Sequence, residues 1–427
     1  MTKVLNWRFR KNPLPERKGE SSKTGGSTEI MDNPVIYFDN NATTQVAQEV
    51  LEEMLPFFCE RYGNPSSIHS FGGCVADDIE KARCHVARLL GAGFRDRDGV
   101  ASEIVFTSCG TEGDNAAINA AFKARPGRNK LVTTVVEHPA VLSYAKELER
   151  QGREVVLIPV DGRGRLDMDA LRSAVDENTA VVSIMWANNE TGTIFPIAEA
   201  VKIAHAAGAL FHTDAVQAAG KLPIDVDALD IDYLSISGHK LHAPKGVGAL
   251  FVRRGIRFSQ LLFGGHQEKG RRGGTENVTS VIGLGKACEM ALAKLDEEPR
   301  RLAALRDSLE AQIKAAIPQV HVNGDLENRL PNTSSISFDG IEGESILMYL
   351  NMHNICASSG SACTTGSLEP SHVMRAMGIP YTSAHGTIRF SLSGYNTQEE
   401  VDFVASVLPP VIARLREISP YWNGENK

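Results

Sequence analysis

Short apolar runs alternate with amphipathic stretches through most of the chain. Five runs are apolar enough to form buried strands: EIVFTS (103–108), KLVTTVV (130–136), VVSIMWA (181–187), ALFHTDA (209–215) and VGALFV (247–252). Helical patterns lie between several of them, for example at 140–152 and 197–208. This alternation predicts an α/β fold with a mainly parallel sheet covered on both faces. Binding sites in such sheets form at the carboxyl ends of the strands.

The pattern changes near Ala287, where a long helical region (287–317) begins. It leads into a segment with strand-like runs at TSSISFD (333–339) and TIRFSLS (387–393). Mixed helices and strands of this kind, after a long α/β region, indicate a second and smaller α+β domain.

The expected domain boundaries follow from these changes. We expect a large domain over 46–290 and a small domain formed by 31–45 together with 291–427. Residues 1–30 are basic and end in a stretch rich in Gly, Ser and Thr, which predicts a disordered tail.

Composition narrows the class of protein. The 427 residues carry a formal net charge of −7 with basic residues scattered among acidic ones, so we expect no nucleic-acid binding. No apolar run approaches the ~20 residues that span a bilayer, and no signal peptide is evident, so we expect a cytoplasmic protein without membrane contact. The seven cysteines include no C-x-x-C pair, which argues against a disulfide framework or a cysteine-based zinc site.

The residues at the end of the first apolar run suggest an anion-binding site. Ser108, Gly110 and Thr111 lie where the run IVFTS passes into a helical pattern. Free backbone N–H groups, the positive end of the helix dipole and small hydroxyl residues would suit a phosphate group there. Ordinary helix capping by these residue types is the alternative.

Three further strand ends carry polar residues. His138 and Asn189 follow the second and third runs, where each could contact a ligand or only stabilise a turn. Asp214 follows ALFHT and should be buried, so it needs a cationic partner or strong donors. A protonated pyridine nitrogen is one such partner, and a neighbouring Arg or Lys is the other.

The fifth strand end lies within SISGHKLHAPKG (235–246) and carries a lysine. Lys240 follows a turn of small residues, and a lysine in a dry pocket has a lowered pKa and can form a Schiff base. Ser237 and His239 beside it could donate to phosphate. Taken in strand order, the residues supply a phosphate site, a His for ring stacking, an Asp for a pyridine nitrogen and a Lys for an aldehyde. Pyridoxal phosphate requires this set of groups.

Longer motifs around these residues resemble a known family. YFDNNATT, VEHPAVL, MWANNETGT, HTDAVQ, SGHKLHAPKGVG and ASSGSACTTGSLEPSHVMRAMG are similar to motifs of cysteine desulfurases of the nitrogen-fixation type, a branch of the class V aminotransferases. The resemblance runs from about Val35 to Trp422. It implies a fold-type I transferase with pyridoxal phosphate as cofactor, and a homodimer whose sites lie near the subunit interface.

The resemblance also implies roles for individual residues. Lys240 would bind the cofactor covalently and move the Cα proton, while Asp214 would pair with the pyridine nitrogen. Gln217 would contact the ring hydroxyl, and His138 would stack on the ring and assist proton transfer. Phosphate binding would fall to further residues: Gly110, Thr111, Ser237, His239 and, from the partner subunit, Thr275.

Two residues would hold the substrate according to the same resemblance. Asn189 would contact cofactor and substrate, and Arg389 would bind the substrate carboxylate as a bidentate fork, unless it forms a surface ion pair instead. The chain departs from the family at Gly113 and Asp114, where Ser and Asn are common. We expect from this departure at most a modest change in phosphate affinity.

Cys363 lies in SSGSACTTGS (358–367), a small and polar segment that predicts a mobile loop with an exposed thiol. The resemblance implies that its thiolate takes the sulfur of L-cysteine as a persulfide and leaves L-alanine. An incidental loop thiol is the alternative. The sulfur would pass to an iron–sulfur scaffold protein that serves nitrogenase. No metal is required, although Cys363 could transiently ligate an iron–sulfur cluster.

Other functions stay open from the sequence alone. A selenocysteine lyase or an aminotransferase would share the fold, and an aminotransferase would need no loop thiol. A sulfur carrier without catalysis would use Cys363 but would bind no coloured cofactor.

Overall fold

The computed structural model of this chain describes residues 34–93, 95, 101–359 and 370–422. Within them a seven-stranded sheet forms the centre of what we call the large lobe. Its strands, in spatial order, are β2 (Ile104–Thr107), β8 (Gly248–Val252), β7 (Tyr233–Ser237), β6 (Leu210–Asp214), β5 (Thr179–Ser183), β3 (Lys130–Thr134) and β4 (Glu154–Ile158).

Strand direction places several strand ends on one edge of this sheet. Strand β3 is parallel to β4 and β5, and the parallel run continues through β6 to β7. Strand β8 is antiparallel to both β7 and β2, so β2 points the same way as β7. The mainly parallel sheet expected from the sequence is confirmed, and the carboxyl ends of β2, β3, β5, β6 and β7 share an edge.

Apolar side chains cover both faces of the sheet. On β5, Val181 and Val182 join different hydrophobic clusters, and on β6 Leu210 and Phe211 do the same, because successive side chains of a strand point to opposite faces. None of the described helices is both long and apolar enough to cross a membrane. The large-lobe helices are α1 (Gln48–Met54), α2 (Pro56–Cys59), α3 (Ser70–Leu89), α4 (Gly110–Ala124), α5 (Pro139–Arg150), α6 (Met168–Ala174), α7 (Ile197–Ala206), α8 (Gln267–Gly270) and α9 (Val278–Lys294).

A small lobe of mixed helices and strands follows. Its core collects Ile36 and Phe38 together with apolar residues between 302 and 415, so the start of the described chain packs with its C-terminal part. The domain boundaries proposed from the sequence stay a prediction. The small-lobe strands are β12 (Thr387–Ser391), β10 (Thr333–Phe338) and β9 (Val320–Asn323) in one antiparallel sheet, and β1 (Ile36–Tyr37) beside β11 (Ile355–Cys356). Its helices are α10 (Glu298–Ala316), α11 (Gly343–Met352), α12 (His372–Ala376), α13 (Tyr381–Ala384) and α14 (Gln398–Ile418).

Two elements differ in detail from the sequence expectation. The helical region 287–317 contains the end of α9 and then α10, with a break at 295–297. Pro299 lies in the first turn of α10, where its missing N–H removes no helical hydrogen bond. The run 181–187 belongs to β5 only as far as Ser183, and 184–187 continue as buried chain towards the active-site edge.

Candidate active site

A cavity of about 460 Å³ opens at the carboxyl edge of the large-lobe sheet. Lys240 and Asp214 both line it. The hypothesis of a pyridoxal-phosphate site requires these two residues to share one cleft. Ten residues singled out from the sequence line this cavity: Gly110, Thr111, His138, Asn189, Asp214, Gln217, Ser237, His239, Lys240 and Arg389. Their chemical roles stay predictions.

Two other predicted residues are not among the residues that line the cavity. Thr275 is exposed on the segment after α8, and its predicted role belongs to the site of the partner subunit. Cys363 lies outside the described residues.

Lys240 is held at the end of the short turn that follows β7. Residues Gly238–Lys240 form a single 3₁₀ turn directly after that strand. The half-buried Lys240 Nζ donates to the backbone oxygens of Asn41 and, at 2.7 Å, of Ala42. The amine of a large-lobe residue is therefore fixed against the N-terminal segment that leads into the small lobe.

Asp214 is the last residue of β6 and is buried. Its Oδ1 accepts a hydrogen bond of 2.9 Å from the backbone N–H of Val216. Burial, and secondly the charge of Asp114, raise the pKa of Asp214 to about 7, while His138 opposes the rise. A salt bridge to Arg or Lys would lower that pKa instead, so the geometry favours a carboxylate suited to a cationic ligand.

His138 caps the start of α5. Its Nδ1 accepts a hydrogen bond of 3.1 Å from the backbone N–H of Ala140, so a neutral ring carries its proton on Nε2. Burial lowers the pKa of His138, and the charge of Lys240 lowers it further, against the opposing effect of Asp214. The cavity thus contains a neutral imidazole of defined tautomer.

The part of the cavity lined by Gly110, Ser237 and His239 has the features of an anion site. Helix α4 begins at Gly110 without a side-chain hydrogen bond from its N-cap residue, and its first residues, Gly110 and Thr111, line the cavity. A Cβ at Gly110 would lie 2.8 Å from Val216 Cγ2, so this close approach excludes a side chain. Ser237 is buried beside it, and burial lowers the pKa of His239 to about 4, which keeps that ring neutral.

Gln217 contributes an acceptor that lacks a partner. Its Nε2 donates to the Asn41 backbone oxygen at 3.0 Å, whereas its buried Oε1 accepts no hydrogen bond from the described residues. A buried acceptor of this kind is costly unless a ligand donates to it.

Arg389 lies on β12 and is only 2% exposed, which contradicts the alternative of a surface ion pair. Its guanidinium donates to Asp39 Oδ1 at 2.8 Å and to the backbone oxygen of Asn189 at 3.0 Å. A further donor, Nε, is buried and has no hydrogen-bond partner among the described residues. The side chain is therefore positioned in the cavity but retains hydrogen-bonding capacity.

Several buried or half-buried polar residues around the cavity were not assigned from the sequence. Glu190 accepts a hydrogen bond of 2.5 Å from Ser371, and His372 Nε2 lies 3.0 Å from the backbone oxygen of Glu137. These contacts join segments that are far apart in sequence, so only the fold reveals them. Further unassigned residues are Asp39, Asp114 and His212.

Residues 360–369 lie outside the described residues, and the described chain on either side of them lies beside the cavity. Ser358 exchanges backbone hydrogen bonds of 2.6 and 3.2 Å with Arg389. On the other side, Pro370, Ser371 and His372 line the cavity itself.

The family model for class-V aminotransferases matches residues 36–404, most of the chain. The chain belongs to the class-V aminotransferase family. Within this family it is similar to the cysteine desulfurase NifS of Azotobacter vinelandii, with 59% identity over 389 residues that cover 91% of this chain and 95% of that protein.

Solved structures of similar proteins agree in fold. A NifS-like protein superposes with a TM-score of 0.83 at 39% identity, covering 90% of this chain and all of the other. A structure described as SspA in complex with cysteine superposes with a TM-score of 0.74 at 35% identity, covering 85% of this chain and 100% of that one. The fold-type expectation is therefore confirmed.

Proposed function

We propose that this chain is a pyridoxal-phosphate-dependent cysteine desulfurase, which converts L-cysteine to L-alanine and retains the sulfur as a persulfide on Cys363. The observation that carries the proposal is the single cavity shared by Lys240, Asp214, His138 and Arg389. A relative named cysteine desulfurase and a neighbour with bound cysteine support the same substrate.

The cavity fits pyridoxal phosphate at three separate points. The buried Asp214 carboxylate, with its raised pKa, suits the proton of a pyridine nitrogen. Gln217 Oε1, which has no hydrogen-bond partner among the described residues, suits the ring hydroxyl, which would donate a hydrogen bond to it. The start of α4, where Gly110 leaves no room for a side chain, suits a phosphate dianion.

Specific residues would therefore hold the cofactor. Lys240 would bind its aldehyde carbon covalently, and His138 would stack on its ring. The phosphate would be bound by Gly110, Thr111, Ser237 and His239, with Thr275 of the partner subunit completing the site in a homodimer.

When bound, pyridoxal phosphate takes up the electron pair that remains after a Cα–H bond of an amino acid breaks. Lys240 Nζ removes that proton and later returns one. Asp214 holds the ring nitrogen in its protonated form. Neutral His138, with its proton on Nε2, is placed to assist proton transfer.

Arg389 orients the substrate by its carboxylate. A guanidinium binds a carboxylate best through two parallel N–H donors. Arg389 Nε, which has no partner in the part of the chain that the structure describes, provides one of them. The second would come from Nη1 or Nη2, the nitrogens that donate to Asn189 and Asp39 in this structure. This places the substrate Cα towards Lys240.

Cys363 then accepts the sulfur. Its thiolate attacks the substrate Sγ, so that an S–S bond forms as the Cβ–Sγ bond breaks, and the carbon product leaves as alanine after protonation. The position of Ser358 beside Arg389 supports this step, because five residues of chain reach about 17 Å at most. An iron–sulfur scaffold protein that serves nitrogenase is the proposed acceptor.

The test is incubation of the yellow, cofactor-loaded protein with L-cysteine, followed by measurement of alanine and by mass-spectrometric mapping of the persulfide. We expect alanine together with a persulfide on Cys363. The variant Cys363→Ala should keep bound cofactor yet form no persulfide, while Cys74→Ala, at an exposed cysteine elsewhere, should behave as the wild type. Normal turnover of Cys363→Ala, or pyruvate in place of alanine, would overturn the proposal.

A further inference from the structure

A chain of buried polar side chains runs beneath Asp214. His212 Nδ1 lies 2.8 Å from Ser183 Oγ, and His212 Nε2 lies 3.0 Å from Ser235 Oγ. The Ser235 hydroxyl also hydrogen-bonds Asp114, which is 1% exposed. These side chains therefore link β5, β6, β7 and α4 next to the cavity, which Asp114 itself lines.

The hydrogen bonds along this row of polar side chains all point in one direction. Burial lowers the pKa of His212 to about 4, so its ring is neutral and carries one proton. If Ser235 donates its only proton to Asp114, it must accept from His212 Nε2, and Ser183 must then donate to Nδ1. Every donor is used in this arrangement, and the chain ends on the Asp114 carboxylate.

The two residues that depart from the family pattern belong to this one feature. A Cβ at Gly113 would lie 2.9 Å from Ser235 Oγ, so glycine leaves the room in which that hydroxyl sits. The adjacent Asp114 accepts a hydrogen bond from that hydroxyl. Gly113 and Asp114 therefore both lie against Ser235. That this departure changes phosphate affinity at most modestly stays a prediction.

Asp114, the last residue in this row of polar side chains, acts on Asp214. Asp114 Oδ1 is buried, has no hydrogen-bond partner among the described residues, and lies 3.5 Å from His212 Nε2. Asp114 and Asp214 line the same cavity, and Ser235, which hydrogen-bonds Asp114, lies opposite Asp214 on the neighbouring strand. The charge of Asp114 is also the largest cause, after burial, of the raised pKa of Asp214. The other titratable groups that face this pair are Glu137 after β3 and His138 at the start of α5.

We infer, on the basis of the proposed function, that Asp114 is a positioning residue that acts through Asp214. Its carboxylate, oriented by Ser235 and His212, adds a second negative charge behind the carboxylate that faces the ring nitrogen. This charge strengthens the hold of the site on the ring-nitrogen proton. Asparagine at the same position would keep the shape and remove the charge.

Two measurements test this role without relying on turnover. The first uses holoenzyme reconstituted with cofactor that carries ¹⁵N in its ring, and follows the ring-nitrogen NMR shift against pH. In Asp114→Asn we expect the pH at which that nitrogen loses its proton to fall by about one unit, the effect of removing one nearby charge. Ser235→Ala, which removes the donor to Asp114, should shift it in the same direction but less.

The second measurement uses protein without cofactor. Asp114→Asn should stabilise the fold at pH 8, because the buried carboxylate is ionised there at a cost. The gain should be smaller in an Asp214→Asn background, where no second charge remains to repel it.

The control is Asp232→Asn, which alters another buried carboxylate at the opposite end of β7, hydrogen-bonded to Phe211. It should leave the ring titration unchanged even if it changes stability. An unchanged ring titration in Asp114→Asn would overturn the inference, whatever the stabilities show. If the chain bound no such cofactor, the proposed function would fail, while the stability cycle would still report whether the two carboxylates interact.

Discussion

The cavity has two walls of different construction. The sheet wall, formed by Asp214 with His212 and Asp114 behind it, is buried and hydrogen-bonded within the core of the large lobe. The lobe wall, formed by Arg389 and Asp39, is an ion pair at the cavity edge between the small-lobe strand β12 and the N-terminal segment. The sheet wall supplies a fixed electric field, whereas the lobe wall supplies contacts that can be exchanged.

The difference follows the demands on each wall. A cofactor that stays bound through many turnovers benefits from charges that need no rearrangement when the reaction occurs. A substrate that enters and leaves needs a partner that can be released, and an Arg already held by Asp39 can exchange one carboxylate for another. Predictions can therefore be made separately for the two walls and for Lys240, which lies between them.

The largest effect is expected at Lys240. Replacement by Ala removes the amine that would bind the cofactor and move the Cα proton, so turnover should fall by about 10⁴-fold or more. Borohydride reduction and peptide mass spectrometry should show no cofactor fixed to the variant. Lys221→Ala is the matched control, because Lys221 is a neighbouring lysine whose pKa burial lowers to about 7. Cofactor fixed at Lys221, or at any lysine other than Lys240, would contradict the assignment.

The second-largest effect is expected from substitution of Asp214 in the sheet wall. In Asp214→Asn, loss of a charged hydrogen bond to the ring nitrogen should cost at least about 1.5–3 kcal/mol, which is about 10- to 100-fold in kcat/KM. Unchanged catalysis would remove Asp214 from the mechanism and with it the distinction between the walls.

The same variant has a pH signature in the protein without cofactor. The folded-state pKa of Asp214 is about 7, above the unfolded value of about 4, so ionisation destabilises the fold progressively between these pH values. Asp214→Asn should therefore be more stable than the wild type at pH 8, and this gain should vanish below about pH 4. Urea unfolding at several pH values measures it, and a gain independent of pH would show that the carboxylate is not the cause.

Much of the sheet wall facing the ligand could be predicted from the sequence. Asp214 and Lys240 each follow an apolar run, and the carboxyl ends of parallel strands meet at one edge, so their convergence follows from the strand pattern. The motifs were specific enough to add Gln217 and Arg389.

The residues behind that surface could not be predicted in the same way. Asp114 lies on a helix rich in small residues, and nothing in its local pattern shows that it is buried against Ser235. Asp39 pairs with Arg389 across 350 residues of chain, so the contact exists only once the small lobe has folded. Both depend on packing between elements, which periodicity does not report.

A smaller effect is expected when the lobe wall is weakened. Arg389→Lys keeps the positive charge but loses the planar pair of donors, so KM for L-cysteine should rise about tenfold with little change in cofactor affinity. Steady-state kinetics and cofactor titration separate these effects. A fall in cofactor affinity with unchanged KM would place Arg389 with the sheet wall instead.

The smallest effect is expected at Asp39, and it has the opposite sign. In Asp39→Asn, Arg389 no longer binds a carboxylate that competes with the substrate. The substrate carboxylate then has only a neutral amide to displace, so KM for L-cysteine should fall about threefold. This change is smaller than the free energy of a full charged hydrogen bond would give. The turnover number should change little, because Asp39 does not contact the groups that move the Cα proton. Asp402→Asn, at an exposed carboxylate on α14, is the control and should leave KM unchanged. A rise in KM for Asp39→Asn would mean that Asp39 holds Arg389 in its productive orientation, and the lobe wall would then be as fixed as the sheet wall.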